Sequence, residues 1–309
     1  MEKKEISVII PVYNSSLSLK SLIDELFIEL KNNFKSYELI LIDDKSLDDS
    51  WKIITKLCET HTWIKGIALR KNVGQHNAIL AGLRYASGQI IITMDDDGQN
   101  DPKYVKDLYF DIKKGHDVCY ANYLIKKHNF FRKFVSRLNN LFVTLLFRKP
   151  FDLSLTSFRG FNYQVKDEII KNKSPSIYLD GLIISITRNI SKIPVNHNPR
   201  KIGKSNYTFF KLFNLWMQMA TGFSVAPLRL ASILGFFFSS TGFIMAIWLV
   251  FFKLPTSETP MGWTSLIVTI LFLGGIQLIA LGAIGEYLGR AYLVVNNYPQ
   301  FSITKTLNT

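Results

Sequence analysis

Ile90-Ile-Ile-Thr-Met94 runs straight into Asp95-Asp96-Asp97-Gly98-Gln99. A short apolar run bounded by Gly88 on one side and a charged cluster on the other has the pattern of a buried strand. Polar groups at the C-terminal end of such a strand fall on the edge of an open α/β sheet where ligands bind. Carboxylates packed side by side repel one another and resist burial unless a positive partner is near. A divalent cation carrying a phosphate fits that need. A solvated turn fits the same residues, because Asp and Gly are turn formers.

Outward from this strand, residues 1–125 alternate between strand-like and helix-like segments. Strands are expected over 6–10, 38–42, 64–69, 89–94 and 117–121, and helices over 17–33, 47–60, 75–86 and 102–114. Repeated β-α units predict a largely parallel sheet covered by helices on both faces. Two further strand ends carry polar groups. The first strand runs into Pro11-Val-Tyr-Asn14 and the second into Asp43-Asp44. A cleft with an aromatic ring, Tyr13, beside acids suits a nucleoside: the ring covers the base and a carboxylate accepts from base or ribose. Taken singly, Pro, Asn and Asp also simply end strands. Asn72-Val-Gly-Gln-His-Asn77 follows the third strand. Gly74 permits a tight turn there, and Gln75 falls near a helix start. His76 has no metal-ligand companion at useful spacing and is expected to be a surface or structural histidine.

Lys and Arg number 37 against 24 acids in the 309 residues, for a formal charge of +13. Such an excess suits nucleic acid, an anionic membrane surface or phosphorylated substrates. Cys58 and Cys119 lack metal spacing and imply no bridge, so a reducing compartment is expected. Met1-Glu-Lys-Lys-Glu5 leads directly into a strand-like stretch, and no cleavable signal is expected. Residues 230–252 and 263–285 are free of charge and almost wholly apolar or small. Each has roughly the 20 residues a membrane-spanning helix needs. Arg229 precedes the first and Arg290 follows the second, while the connecting loop carries only Lys253 and Glu258. The positive-inside rule then puts the basic bulk of the chain and both termini on the cytoplasmic side. The expected division is a catalytic domain over 1–226, a two-helix membrane region over 227–290 and a tail over 291–309.

Between 130 and 147, Phe131, Phe134, Val135, Leu138, Leu141, Phe142 and Leu145 recur at helical spacing, flanked by Lys126, Lys127, Arg132, Lys133, Arg137, Arg148 and Lys149. A basic amphipathic helix rich in aromatics fits a helix lying in the membrane interface. A second amphipathic stretch, 207–223, leads through Pro227 into the first apolar run.

Pro11-Val-Tyr-Asn14, Asp43-Asp44, Asn72-Val-Gly-Gln75 and Met94-Asp-Asp-Asp-Gly-Gln99, in this order, resemble the family 2 glycosyltransferases of the GT-A fold. The polyprenyl-phosphate group, which includes dolichol-phosphate mannose synthase and bacterial undecaprenyl-phosphate glucosyltransferases, is the most similar branch. The match continues through Arg132 with Ser136, Ser157-Phe-Arg159, His197-Asn-Pro-Arg200-Lys-Ile-Gly-Lys-Ser205 and Gly285-Glu-Tyr-Leu-Gly-Arg290. It implies a Rossmann-like, mostly parallel sheet with interfacial helices and two membrane helices. It implies a divalent metal, Mg2+ or Mn2+, on Asp95, Asp97 and Gln99. Pro11, Tyr13, Asn14, Asp43, Asp44, Gln75, Asp95 and Lys204 would bind the nucleotide sugar. Catalytic roles would fall to Asp97, Arg132, Ser136 and Arg200, with Arg132 and Ser136 on the lipid phosphate. Where the family often carries a phosphate-binding Arg after the fifth strand, this chain has Tyr120-Ala-Asn-Tyr123, and Arg200 and Lys204 are candidates to replace it.

The implied activity is an inverting transfer of a sugar, glucose or another hexose, from a UDP-linked (or GDP-linked) donor to undecaprenyl or another polyprenyl phosphate. The product would feed cell-surface polysaccharide modification or protein glycosylation. The enzyme would be a multi-pass protein of the cytoplasmic membrane facing the cytoplasm, served by a separate flippase, free of nucleic acid, with a homo-oligomer allowed. Two other readings remain at this level: a synthase that extends a glycan, and a non-enzymatic membrane adaptor.

Overall fold

The computed structural model describes residues 4–123, 153, 155–175, 177–196, 226–252 and 262–309. The chain divides into two units, Met1–Tyr207 with Asn297–Thr309, and Thr208–Asn296.

In the first unit, strands β1 (Ile6–Val12), β2 (Tyr37–Asp43), β3 (Ile64–Leu69) and β4 (Ile90–Thr93) are almost continuously apolar. That composition marks parallel strands buried on both faces. They alternate with helices α1 (Leu19–Asn33), α2 (Ser50–Thr60) and α3 (Gln75–Leu83). A single 3-10 turn at Pro102–Tyr104 opens α4 (Val105–Lys113), with Pro102 at the first position and the Asp101 side chain accepting from Lys103 N. Then follow β5 (Val118–Tyr123), β6 (Arg159–Asn162), α5 (Tyr163–Ile170), α6 (Leu179–Ile186) and β7 (Ile190–Val195), and near the C-terminus β8 (Ile303–Leu307).

These eight strands form one sheet in the order β7-β5-β6-β4-β1-β2-β3-β8. Strands β4, β1, β2 and β3 are mutually parallel, as are β5 and β7. Strand β6 runs antiparallel to both β4 and β5, and β8 antiparallel to β3. The sheet is therefore mixed: six strands run one way, as expected of a mostly parallel sheet, and β6 and β8 run against them. Three strands escaped the periodicity. Strand β6 is only Arg-Gly-Phe-Asn, and β7 and β8 are edge strands whose side chains are largely exposed or half-buried.

Side chains leave the central strands alternately to either face. Val8 and Ile10 pack with Leu22 and Leu26 of α1, Ile54 of α2 and Leu108 of α4. Ile9, Ile40 and Ile42 pack with Ile79 and Leu83 of α3, Val165 of α5 and Ile183 of α6. Both cores thus clamp β1, β2 and β4 from opposite sides and fix where their C-terminal ends emerge.

At the other end of these strands sits a buried acid. Glu38 accepts from Ser7 Oγ at 2.5 Å and from Ser87 N at 2.6 Å, and pairs with Lys65 Nζ at 2.8 Å. Burial raises its pKa, but Lys65 and the hydrogen bonds outweigh that and hold it below the usual glutamate value. Gly88 donates to Ser7 Oγ at 2.8 Å, and a Cβ there would lie 2.5 Å from Ser7 N and 2.8 Å from the Ile6 carbonyl carbon. Those are backbone atoms that cannot swing aside. Gly88→Ala should therefore destabilise the fold by about 1–3 kcal/mol, read as a lower denaturation midpoint with an unchanged slope. An unchanged midpoint would show that β1 yields freely at this point.

The stretch 291–309 divides. A helix of the second unit continues to Val295, and β8 joins the sheet. Asn308 Nδ2 closes that strand by donating to Cys58 O at 2.8 Å and Ile64 O at 2.9 Å.

The second unit contains α7 (Ala226–Phe252) and α8 (Trp263–Val295). Among the described residues one helix, Leu273–Val295 with mean hydropathy 1.5, is long and apolar enough to cross a membrane. The two expected spans, 230–252 and 263–285, are corrected to this one. In α7 the described apolar stretch is Ala231–Ile244. The span in α8 runs to Val295, beyond the expected end at 285, and takes in Glu286 and Arg290, which pair at 2.8 Å one turn apart. The expected interfacial helices at 130–147 and 207–223 fall outside the described residues.

Candidate active site

Strand β4 ends at Thr93, and Met94 N still donates to Ile9 O at 3.1 Å. The next three carboxylates part company. Asp95 accepts from Gln75 Nε2 at 2.5 Å on one oxygen and from Ser157 Oγ on the other. Asp96 turns toward β1 and accepts from Tyr13 N at 3.0 Å and Ser15 Oγ at 2.5 Å, while its carbonyl accepts from Ser18 Oγ at 2.9 Å. Asp97 accepts from Gln99 N at 3.1 Å across a turn in which Gly98 has φ 72°. That left-handed backbone is the reason for glycine at this place.

These roles separate the three acids. Asp96 braces the loop that carries Tyr13, its Oδ2 accepting from both Tyr13 N and Ser15 Oγ. Burial pushes its carboxyl up to about 6, with Asp95 and Asp97 adding to the shift against the Ser15 and Tyr13 hydrogen bonds. Burial likewise raises Asp95, helped by the charge of Asp97 and opposed by Ser157. The pair Asp95 and Asp97 is thus a concentration of negative charge that a cation would relieve.

The other expected site residues sort as follows. Tyr13 stands at the rim, 47% exposed. Asn14, at φ 55°, donates its N–H to Ser46 Oγ at 3.1 Å and accepts from Leu47 N at 2.7 Å, stitching together the loops after β1 and β2. Pro11 is buried within β1, in register with Ile42, and shapes the strand. Asp44 is a backbone clamp: its two oxygens accept from Val73 N at 2.8 Å and Gly74 N at 2.9 Å. Burial raises its pKa against those bonds. The clamp sets the turn at Gly74, φ 82°, from which α3 starts and Gln75 reaches Asp95. Asp43 is buried and accepts from Ser46 N at 3.2 Å through Oδ1, leaving Oδ2 as the uncommitted acceptor of this pair among the described residues. Arg132, Ser136, Arg200 and Lys204 lie outside the described residues.

Several contributors are not among the residues expected from the chain. Ser157, 62 positions from Asp95, is held by Thr93 Oγ1 donating to its carbonyl at 2.7 Å. Tyr123 donates to Asn100 Oδ1, and Asn100 is buried just beyond Gln99. Beneath Asp95 lies a buried ion pair: Arg159, 1% exposed, meets Asp180, which also accepts from Tyr120 OH at 2.9 Å. Only the motif Ser157-Phe-Arg159 pointed toward this layer.

His76 is half-buried, its Nδ1 enclosed and its ring edge-on to Tyr178 at 5.3 Å. Burial and the nearby Arg159 charge lower its pKa to about 3. The folded state therefore holds it neutral, whereas the unfolded chain takes up a proton below about 6.5. Its contribution to stability is full above that pH and declines toward pH 3, by up to about 1.4 kcal/mol per pH unit. In His76→Phe this decline should vanish, so the difference in unfolding free energy between wild type and variant narrows or inverts as pH falls from 6.5 to 5. Parallel stability curves would show that His76 titrates alike in both states.

Among the described residues no group of three or more His, Cys, Asp or Glu side chains is placed to cage a metal. Two carboxylates at a strand end instead suit an ion that completes its shell with water and substrate phosphates, as Mg2+ does.

Residues 7–169 match the family described as glycosyl transferase family 2, and the chain belongs to that family of enzymes. Its relatives include undecaprenyl-phosphate 4-deoxy-4-formamido-L-arabinose transferases. That of Photorhabdus laumondii is 32% identical over 98% of this chain and 94% of the relative, and that of Proteus mirabilis gives the same figures. Among solved structures, glucosyl-3-phosphoglycerate synthase from Mycobacterium tuberculosis, in complex with Mn2+ and UDP-glucose, superposes with a TM-score of 0.52 at 17% identity. That superposition covers 71% of this chain and 77% of the synthase, and it establishes the GT-A-like fold.

Proposed function

We propose that the protein transfers one sugar from a nucleoside-diphosphate sugar to a polyprenyl phosphate at a membrane surface. The observation that carries this reading is the joining of Asp95 to Gln75 and Ser157 at the end of β4, in a chain related along nearly its whole length to undecaprenyl-phosphate transferases. Tyr13 and Asp43 are the groups placed to meet the nucleoside, with Asn14, Asp44 and Asp96 holding their loops in position. Asp95 and Asp97, with Gln99, would hold a divalent ion. When bound, such an ion neutralises charge on the departing diphosphate; the Mn2+ in the structurally similar synthase supports its use here.

Arg132, Ser136, Arg200 and Lys204 are the residues we assign to the acceptor phosphate. A phosphate monoester is already anionic near neutral pH, so the attack on the anomeric carbon needs positioning more than it needs a base. The helix Leu273–Val295 would hold the enzyme in the cytoplasmic membrane with the sheet on the cytoplasmic side. A separate flippase and a homo-oligomer belong to the same reading.

The sugar is the open variable. The residues favour UDP-glucose or another hexose by resemblance, whereas the named relatives act on a modified arabinose, a pentose. Purified enzyme with undecaprenyl phosphate should be offered labelled UDP-glucose, UDP-4-deoxy-4-formamido-L-arabinose and GDP-mannose. We expect label to enter the organic phase from one UDP-sugar, and EDTA to stop it. Nucleotide binding without any lipid-linked product would overturn the acceptor assignment.

A further inference from the structure

A groove of about 300 Å³, sharing no residue with the acid cluster, is lined by Arg84, Lys173 and residues 297–301. Both charged groups in that lining are cations, and no acid lines it. Arg84 is held in place: its Nη2 donates to Gln300 Oε1 at 2.9 Å, and its guanidinium lies over the Phe301 ring at 4.7 Å. Gln300 is fixed in turn by donating to Asn172 O at 2.8 Å and Ser174 O at 2.9 Å. A guanidinium has five N–H donors in a rigid fork, so donors remain for an anion after the Gln300 bond. Lys173 is exposed and has no carboxylate partner among the described residues. Lys71 lies 6.0 Å from the ring centre of Tyr298, which is 52% exposed.

The occupant follows from the chain itself. The lining begins at Asn297, two residues beyond Val295, where the one described helix long and apolar enough to cross a membrane ends. A tyrosine just beyond an apolar helix, Tyr298, with cations gathered in the groove beside it, is what the headgroup layer selects. Such cations attract anionic lipid. We infer that this groove binds the phosphate of an anionic phospholipid headgroup. The inference rests on the membrane-helix part of the proposed function.

The test uses the full chain in detergent, titrated with phosphatidylglycerol or phosphatidylcholine and followed by native mass spectrometry. Phosphatidylglycerol should be retained over phosphatidylcholine. Lys173→Gln, on an exposed side chain, should weaken that retention several-fold, and Arg84→Gln with Lys173→Gln by about tenfold or more. Inorganic phosphate at matched concentration should not displace the lipid. Equal retention of both lipids, unchanged retention in the variants, or displacement by inorganic phosphate would each overturn the groove while leaving the membrane helix standing. A wild-type chain that fails to sediment with membranes would overturn the helix reading and the groove together.

Discussion

Asp97→Ala is expected to lower sugar transfer by about a thousandfold, roughly 4 kcal/mol of barrier, while the protein remains folded and membrane-bound. Asp97 follows β4 in a turn and accepts from Gln99 N two residues along. It lies beyond Thr93, the last paired residue of β4, so the substitution leaves the strand ladder intact. It also removes a negative charge that raises the carboxyl pKa of both Asp95 and Asp96. The unfolding midpoint should accordingly stay level or rise. Labelled-sugar transfer beside thermal unfolding separates the two quantities. Transfer within a few-fold of wild type would remove Asp97 from the proposed metal set. A loss of transfer matched by a loss of fold would show that the turn carries structural load.

Asp180→Ala should act in the opposite way, through the fold. It strands Arg159, which is 1% exposed, and takes the acceptor from Tyr120 OH. Removing one partner of a buried pair leaves an uncompensated charge and costs about 3–5 kcal/mol. The double variant Asp180→Ala with Arg159→Met should regain most of that loss, since no charge is then left buried. Chemical denaturation of the wild type and the two variants decides it. Equal stability of the single and double variants would mean that Arg159 finds another partner or reaches water.

The central β-α units were legible because their physics is local. Continuous apolar runs, Gly and Pro punctuation and polar strand ends set the bounds of β1 to β4 within a few residues. The opening of α4 at Pro102 likewise follows from proline's fixed φ and missing donor. Strand β6 was not legible. Its four residues include Gly160 and a buried Arg159, whose burial makes sense only once Asp180 is beside it. Strand β8 was hidden for another reason: Ile-Thr-Lys-Thr-Leu lies at a sheet edge and keeps its middle side chains in water.

At the site, the three aspartates announced themselves, but their division of labour did not. The resemblance left Asp96 out of the metal set, but nothing along the chain shows that it braces Tyr13 and Ser15 while Asp95 faces Gln75 and Ser157. The same holds for Asp43 and Asp44. Adjacent acids look alike until the backbone amides of Val73 and Gly74 are seen to occupy both oxygens of one. Pairings across tens of residues are set by how the sheet folds, and composition is blind to them.

Strand β8 has a topological consequence. Thr208–Asn296 is bounded on both sides by chain belonging to the sheet-bearing unit, since Asn297–Thr309 returns to it and pairs with β3. The segment that carries α7 and α8 is therefore an insertion with two covalent ends, not an appendage with one. Severing the backbone once within it would still leave each half joined to the sheet, one by its peptide chain and the other through the β3–β8 ladder.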